Sequence, residues 1–180
     1  MRDAVAQGDI FTQIRDEGLH VFLEDPGKTL NSCKFNGPWL EEIYGSEVLA
    51  LYGGQRICCS GSTLGDRESF LVYAGTMADE YLRLREELPP DRVHYLLHDQ
   101  ALHNYLLHSG ILEKRLEAAG RKLFVHENGD GVLTMGYAND FRIAKPGTSI
   151  ANADGSIPAI LHQYDRFDSL REFFTELYSA

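Results

Sequence analysis

Apolar residues recur every three or four positions over long parts of the chain, a spacing that predicts amphipathic helices. The clearest helix is predicted from Glu68 to Leu88, where Asp66 can cap the start and Pro89 ends it. Its buried stripe is predicted to consist of Phe70, Ala74, Met77, Tyr81 and Leu84.

Further helical stretches follow from the same spacing. Residues 39–52 predict two short helices divided at Gly45, and residues 92–108 predict one helix with an apolar stripe of Val93, Leu97, Ala101 and Tyr105. A helix over 111–119 ends at Gly120, since glycine readily adopts the left-handed conformation that closes a helix. The last helix begins at Asp168 and is predicted to bury Leu170, Phe173, Phe174 and Leu177.

Between these helices, stretches with a period of two predict strands. They are LHVFLE at 19–24, KLFVHE and VLTMGY on either side of the turn NGDG, and PAILHQY at 158–164. The two stretches around NGDG predict a hairpin over residues 122–137. Because helices and strands alternate along the chain, the predicted fold class is α/β.

Composition narrows the class of protein. The chain has 180 residues, the size of one domain, and 43% of them are hydrophobic, enough to form a core. The formal net charge of −10 argues against general binding to nucleic acid, because an acidic surface repels phosphate backbones. No stretch is apolar enough for a membrane span and the N-terminus lacks a signal-peptide pattern, so a cytoplasmic location is expected. The three cysteines fit buried thiols in a reducing compartment.

The densest group of polar side chains lies in the sequence HYLLHDQALHNYLLH. A metal site there would pair His94 with His98, or Asp99 with His103; the alternative is that these histidines are ordinary helix residues. Asp99 and Gln100 offer a carboxylate beside an amide, a pair that can bind adjacent hydroxyl groups.

Two other segments place functional groups at a strand end and a helix start, where α/β proteins bind ligands. AILHQYDR ends the last predicted strand, and its His162 and Arg166 could bind a metal and a phosphate. The alternative is an ordinary ion pair of Asp165 with Arg166 beside a hydrogen-bonded histidine. CSGSTLGD at 59–66 permits close backbone approach before a helix, although such turns are also common without a ligand.

These motifs occur in an order that resembles a group of enzymes. An Arg-Asp pair near the N-terminus is followed by CSGSTLG, DQALHNYL, ENGDGVLTMGY and IPAILHQYDR. This order, over about residues 1–167, resembles glycosyltransferases of the GT-A, nucleotide-diphospho-sugar transferase type. The resemblance implies a GT-A-like mixed sheet flanked by helices, in a single domain over 1–180 that corresponds to the C-terminal portion of a GT-A domain.

The resemblance implies that Asp3 and His162 hold a divalent cation, Mn or Mg, against the diphosphate of a nucleotide-sugar donor. Carboxylate oxygen with one imidazole suits these ions. A cation would neutralise the charge that develops on the departing nucleoside diphosphate. Arg166 would lie close to the same diphosphate.

The resemblance also implies residues that bind sugar. Ser60, Gly61 and Ser62 would form the loop behind the donor sugar. Asp99 and Gln100 would be the catalytic pair that faces the sugar hydroxyls. The implied activity is transfer of a sugar from the nucleotide-sugar donor to a carbohydrate or another hydroxyl acceptor.

Members of this group carry a nucleotide-binding half ahead of the acidic element, whereas this chain starts two residues before Asp3. We therefore expect weak binding of nucleotide-sugars, and self-association as a homo-oligomer that covers an exposed sheet edge. Two other functions stay open. One is a non-catalytic carbohydrate-binding or partner subunit of the same fold, and the other is a metal phosphohydrolase that uses His98 and Asp99.

Overall fold

The computed structural model describes residues 3–137, 141–144 and 149–178. The protein is mixed α/β, with small mixed sheets flanked by helices, which confirms the predicted α/β class. The chain divides into two compact units: Met1–Asp16 with Glu127–Ala180 form the first, and Glu17–His126 form the second. The second unit is therefore an insertion within the sequence of the first.

The strands of the described residues are short. They are β1 (Ala4–Ala6), β2 (Leu19–Phe22), β3 (Leu64–Gly65), β4 (Leu123–His126), β5 (Val132–Thr134), β6 (Phe141–Ala144), β7 (Ser149–Asn152) and β8 (Ile160–His162). The α-helices are α1 (Ile10–Gln13), α2 (Asn36–Tyr44), α3 (Ser46–Tyr52), α4 (Arg67–Glu87), α5 (Asp99–His108), α6 (Ile111–Ala118) and α7 (Asp168–Tyr178). Turns of 3-10 helix lie at Ser60–Ser62, Val93–Leu97, Met135–Tyr137 and Tyr164–Arg166.

The first unit contains a mixed sheet in which β8 lies between β1 and β5. β8 pairs antiparallel with β1 and parallel with β5. At the central position of each strand, apolar side chains enter one core with α7; this core includes Val5, Leu133, Leu161, Leu170 and Phe174. Since successive side chains alternate between the faces of a strand, His162 and Thr134 project from the opposite face. β6 and β7 form a separate antiparallel pair.

The second unit contains another mixed sheet, with β2 between β3 and β4. β2 pairs antiparallel with β3 and parallel with β4. All four residues of β2 are buried, as expected for a strand that is covered on both faces. Its core joins β2 to α4, α5 and α6 through Leu19, Val21, Cys58, Tyr73, Leu106, Leu112 and Leu116.

The predicted helix at 68–88 is confirmed as α4, but its buried face differs from the prediction. The carboxylate of Asp66 accepts hydrogen bonds from the amides of Glu68 and Ser69, as the capping prediction required. The buried residues are Ser69, Tyr73, Thr76, Glu80 and Leu84, whereas the predicted Phe70 is 43% exposed. Polar residues can occupy this face because their side chains are hydrogen bonded; the Thr76 hydroxyl, for example, donates to the Val72 carbonyl.

The predicted hairpin over 122–137 is wrong. β4 and β5 belong to different sheets, because each finds a parallel partner elsewhere, β4 in β2 and β5 in β8. Gly129 and Gly131 adopt positive φ angles of 101° and 86° in the turn between these strands. This turn carries the chain from the second unit back to the first.

The single helix predicted over 92–108 is also wrong in its first part. A 3-10 turn at Val93–Leu97 is separated from α5 by His98, whose φ and ψ of −92° and 73° are not helical. Leu97, predicted to be buried, is 79% exposed.

The remaining helix predictions differ from the structure only in detail. The two helices divided at Gly45 are confirmed, with α2 starting three residues earlier than predicted. The helix that ends at Gly120 is confirmed as α6. α7 begins at Asp168 and buries Leu170 and Phe174, but Leu177 is exposed. None of the described helices is long and apolar enough to cross a membrane.

Candidate functional site

The first unit gathers polar side chains at one end of its sheet. His162 ends β8, Thr134 ends β5, and Asp3 immediately precedes β1. The amide of Gln163 donates to the carbonyl of Asp3 (2.6 Å), so the pairing of β1 with β8 continues past His162. We call the following residues the His162 cluster: Asp3, Thr134, His162, Asp165 and Arg166.

The structure brings together the two residues predicted as metal ligands. His162 Nε2 lies 3.6 Å from Asp3 Oδ2. This separation is longer than a normal hydrogen bond. Two ligands that each lie about 2.1 Å from one ion are roughly 3.0–3.4 Å apart, so a shift of a few tenths of an ångström would let both atoms bind one cation. The pair therefore fits a divalent ion.

Burial keeps His162 in its neutral form. It lowers the pKa of the imidazole, and the nearby Arg166 acts in the same direction, although Asp3 opposes both. A neutral imidazole has a nitrogen lone pair that can bind a metal or accept a hydrogen bond. Among the described residues, no group of three or more His, Cys, Asp and Glu side chains is placed to hold a metal ion.

A turn after β8 positions Arg166. Gln163 adopts the left-handed conformation (φ 58°, ψ 30°), and the 3-10 turn at Tyr164–Arg166 follows it. Gly136 makes room for the Gln163 side chain, because a Cβ at Gly136 would lie 2.0 Å from Gln163 Oε1. The Arg166 side chain is 63% exposed, with its Nε 3.8 Å from Asp165 Oδ1. The turn thus leaves a guanidinium group at the surface next to His162.

In the second unit, three segments meet at the side chain of Gln100. Its carbonyl oxygen accepts hydrogen bonds from the amide (2.9 Å) and the hydroxyl (2.8 Å) of Ser60, and its amide group donates to Glu24 Oε1 (3.0 Å). Asn104, one helical turn later, bonds both backbone groups of Cys58. We call Glu24, Ser60 and Gln100 the Gln100 cluster. Through Ser60 and Gln100, this cluster connects the two segments predicted to bind sugar, the loop at 60–62 and the pair at 99–100.

The other predicted sugar-binding residues differ in exposure. Asp99 is exposed in the first turn of α5, and Gly61 is exposed in the loop. Ser62 is buried, and its hydroxyl donates to the carbonyl of Cys59 (3.4 Å). Asp99 and Gly61 are thus open to solvent, whereas Ser62 has a structural partner.

Glu24 is a candidate residue that was not predicted from the sequence. Glu24 follows the buried strand β2 and is only 3% exposed. Burial raises the pKa of its carboxyl group, although hydrogen bonds from Gln100 and Cys59 oppose the change. The available signal was an acidic residue at the end of an apolar strand segment, a position where α/β proteins often bind ligands.

Two of the histidines in residues 94–108, His98 and His103, pack against other side chains of the second unit. The ring of His98 stacks on Trp39, with centroids 4.3 Å apart. His103 is wholly buried between the Cys58 thiol (3.2 Å) and the Tyr73 hydroxyl (3.0 Å). Burial lowers the pKa of His103 to about 3 and raises that of Cys58, so neither group is charged near neutral pH. This Cys-His contact therefore lacks the thiolate that a nucleophile needs.

Comparison with known proteins found no relative. No protein-family profile, curated protein or solved structure matches the chain. The resemblance to GT-A glycosyltransferases therefore depends on the ordered motifs of the sequence.

Proposed function

We propose that this protein is a metal-dependent glycosyltransferase of GT-A-like fold, which transfers a sugar from a nucleotide-sugar to a hydroxyl acceptor. The observation that carries the proposal is the 3.6 Å separation of His162 Nε2 and Asp3 Oδ2. These residues are far apart in sequence, and the motif resemblance selected them as a cation-binding pair.

The chemistry of the His162 cluster supports the proposal. Asp3 supplies carboxylate oxygen and His162 supplies a neutral imidazole, a donor set that suits Mn²⁺ or Mg²⁺. The exposed guanidinium of Arg166 can bind phosphate oxygens, since arginine pairs well with phosphate. A bound divalent cation would neutralise negative charge on the diphosphate leaving group.

The Gln100 cluster is assigned to sugar recognition on the motif resemblance. Gln100 fixes the position of the loop at Ser60 through two hydrogen bonds. Asp99, which precedes it, is exposed and is the carboxylate that the proposal assigns to a hydroxyl group of the sugar or acceptor. These assignments stay predictions.

Calorimetric titration of the full chain with UDP, GDP and their sugar derivatives, with and without Mn²⁺, tests the proposal. We expect nucleoside-diphosphate binding that requires Mn²⁺ and is lost in Asp3→Asn and His162→Ala. Asp130→Asn, which removes an exposed carboxylate from the same unit, is the matched control and should bind like the wild type. A salt concentration of about 0.15 M limits non-specific attraction of Mn²⁺ to this acidic chain.

Two results would contradict the proposal. One is nucleotide binding that is unaffected by Mn²⁺ or by Asp3→Asn. The other is binding of free sugars without any response to nucleotide or metal, which would favour the non-catalytic carbohydrate-binding alternative.

A further inference from the structure

Thr134, the last residue of β5, has a buried hydroxyl group. The side chain of Asn128 serves both backbone groups of Thr134: its oxygen accepts from the Thr134 amide (2.7 Å), and its amide donates to the Thr134 carbonyl (3.1 Å). Thr134 is wholly buried, and its Oγ1 has no hydrogen-bond partner among the described residues. A buried unpaired hydroxyl is unfavourable, and valine would fill the same space without that cost.

The strand register places this hydroxyl beside His162. Thr134 and His162 are paired residues of the parallel strands β5 and β8. Paired side chains on neighbouring strands project from the same face of a sheet. Asp3 Oδ2 lies 3.6 Å from the His162 ring nitrogen. A hydroxyl, an imidazole and a carboxylate therefore come together at one end of the sheet.

A second oxygen in this cluster also lacks a hydrogen bond. Asp165 Oδ1 is buried without a hydrogen-bond partner in the described part of the chain. Arg166 Nε forms an ion pair with it at 3.8 Å, which is beyond hydrogen-bond distance. Buried polar atoms without partners often mark a place where an ion or water binds. Thr134 ends β5 and Asp165 follows β8, its neighbour in the sheet, so the two oxygens indicate a bound group that the chain itself does not supply.

We propose that Thr134 Oγ1 is a third ligand of the divalent cation at Asp3 and His162, an inference that rests on the proposed function. A neutral hydroxyl oxygen suits Mg²⁺ and Mn²⁺, as the Ser/Thr ligand of the P-loop illustrates. Thr134 completes a set of two oxygens and one nitrogen from the protein. The remaining coordination positions are then open to oxygens of a diphosphate.

The first test is a Mn²⁺ titration of the full chain, in which electron paramagnetic resonance measures the concentration of free Mn²⁺. We expect Thr134→Val to weaken Mn²⁺ binding about tenfold or more, a loss typical of disturbed metal sites. Thr134→Ser keeps the hydroxyl and should bind Mn²⁺ nearly as tightly as the wild type. Thr76→Val is the matched control, since it also removes a buried threonine hydroxyl, one that donates to the Val72 carbonyl in the other unit.

The second test compares melting temperatures with and without Mn²⁺. Without metal, Thr134→Val should melt at or above the wild-type temperature, because it removes an unpaired hydroxyl, whereas Thr76→Val should melt lower. With Mn²⁺, the wild type should gain more stability than Thr134→Val, since a ligand stabilises a protein in proportion to its affinity for the folded state.

Three results would overturn the inference, and they differ in their meaning for the proposed function. Equal Mn²⁺ affinity of Thr134→Val and wild type, with loss in Asp3→Asn, overturns this inference alone. A drop in metal-free melting temperature as large as that of Thr76→Val also overturns it, because the hydroxyl would then have a structural partner. Absence of Mn²⁺ binding by the wild type overturns the inference and the proposed cation site together.

Discussion

Glu24 is an acidic residue that is almost completely buried. Burial raises the pKa of its carboxyl group above the ordinary value of 4.5. The folded state therefore holds this proton more tightly than the unfolded state, and the associated stability is lost as the pH rises through the folded pKa. Glu24→Gln keeps the shape and the neutral form. We expect the stability of Glu24→Gln relative to wild type to be greater at pH 8 than at pH 4.

Urea denaturation at both pH values measures this difference. Glu113→Gln removes the same charge from an exposed position on α6 and is the control for the loss of charge alone. If the stability of Glu24→Gln and that of Glu113→Gln respond alike to pH, burial does not raise the pKa of the Glu24 carboxyl group.

His103 makes the free energy of unfolding change with pH in the direction opposite to Glu24. Its pKa is lowered to about 3 by complete burial, so between pH 6.5 and 3 the unfolded chain binds a proton that the folded chain rejects. Stability is therefore lost as the pH falls, by about 2 kcal/mol between pH 7 and pH 5 for this one group. His103→Gln should lower stability at pH 7 but remove this acid-dependent loss.

The free energy of unfolding at pH 7 and pH 5, from chemical denaturation, is the measurement for His103. His94→Gln is the control, because it removes an exposed histidine in place of a buried one. His162, whose pKa is also lowered by burial, contributes to the loss in both proteins. A loss between pH 7 and 5 in His103→Gln as large as that of the wild type would show that His103 is not responsible for its expected share.

At the scale of elements, the start of α4 depends on one side chain. The Asp66 carboxylate accepts from two backbone amides and from the hydroxyl of Ser69. Replacement of such a cap by alanine typically costs about 1 kcal/mol, while asparagine keeps an acceptor at the same place. We expect Asp66→Ala to lower the free energy of unfolding by about 1 kcal/mol and Asp66→Asn by less, as measured by urea denaturation. Equal losses in both variants would show that charge, rather than the cap, is responsible.

Local signals predicted the elements that depend on local interactions. α4 follows from the cap at Asp66 and the prolines after Leu88, and α6 follows from Gly120. The strands with which β4 and β5 pair could not be predicted. β4 pairs with β2 and β5 pairs with β8, and both partners are distant in sequence. The turn between β4 and β5 has the composition of a hairpin turn, and only the competing partners exclude a hairpin.

The candidate site was predictable to a lesser degree. The contact of Asp3 with His162 was expected from the motif resemblance, and spacing alone would not have selected it. Glu24 was missed because its burial depends on packing against Gln100 of α5, which the sequence does not reveal. The Thr134 hydroxyl was not predicted either, because its burial without a hydrogen-bond partner among the described residues depends on packing that the sequence does not reveal.

At the scale of the whole molecule, net charge affects stability. The chain has 27 acidic and 17 basic residues, so charges of the same sign repel one another in the compact state. Salt screens this repulsion. We expect the melting temperature to rise by about 1–4 °C between 20 and 200 mM NaCl, which corresponds to less than about 1 kcal/mol. Differential scanning calorimetry at constant pH measures the shift, and a decrease would indicate that favourable ion pairs outweigh the repulsion.

The insertion of the second unit into the first sets the order in which the chain can form its sheets during synthesis. β2, β3 and β4 have all been made once His126 is added, whereas β1 must wait for β8, which ends at His162. At 5–20 residues per second, the ribosome needs roughly 2–7 s to cover this interval. For those seconds a nascent chain has every strand of one sheet and lacks the central strand of the other. Any chain that stops before Ile160 leaves β1 and β5 without the strand that joins them, open to chaperones and proteases.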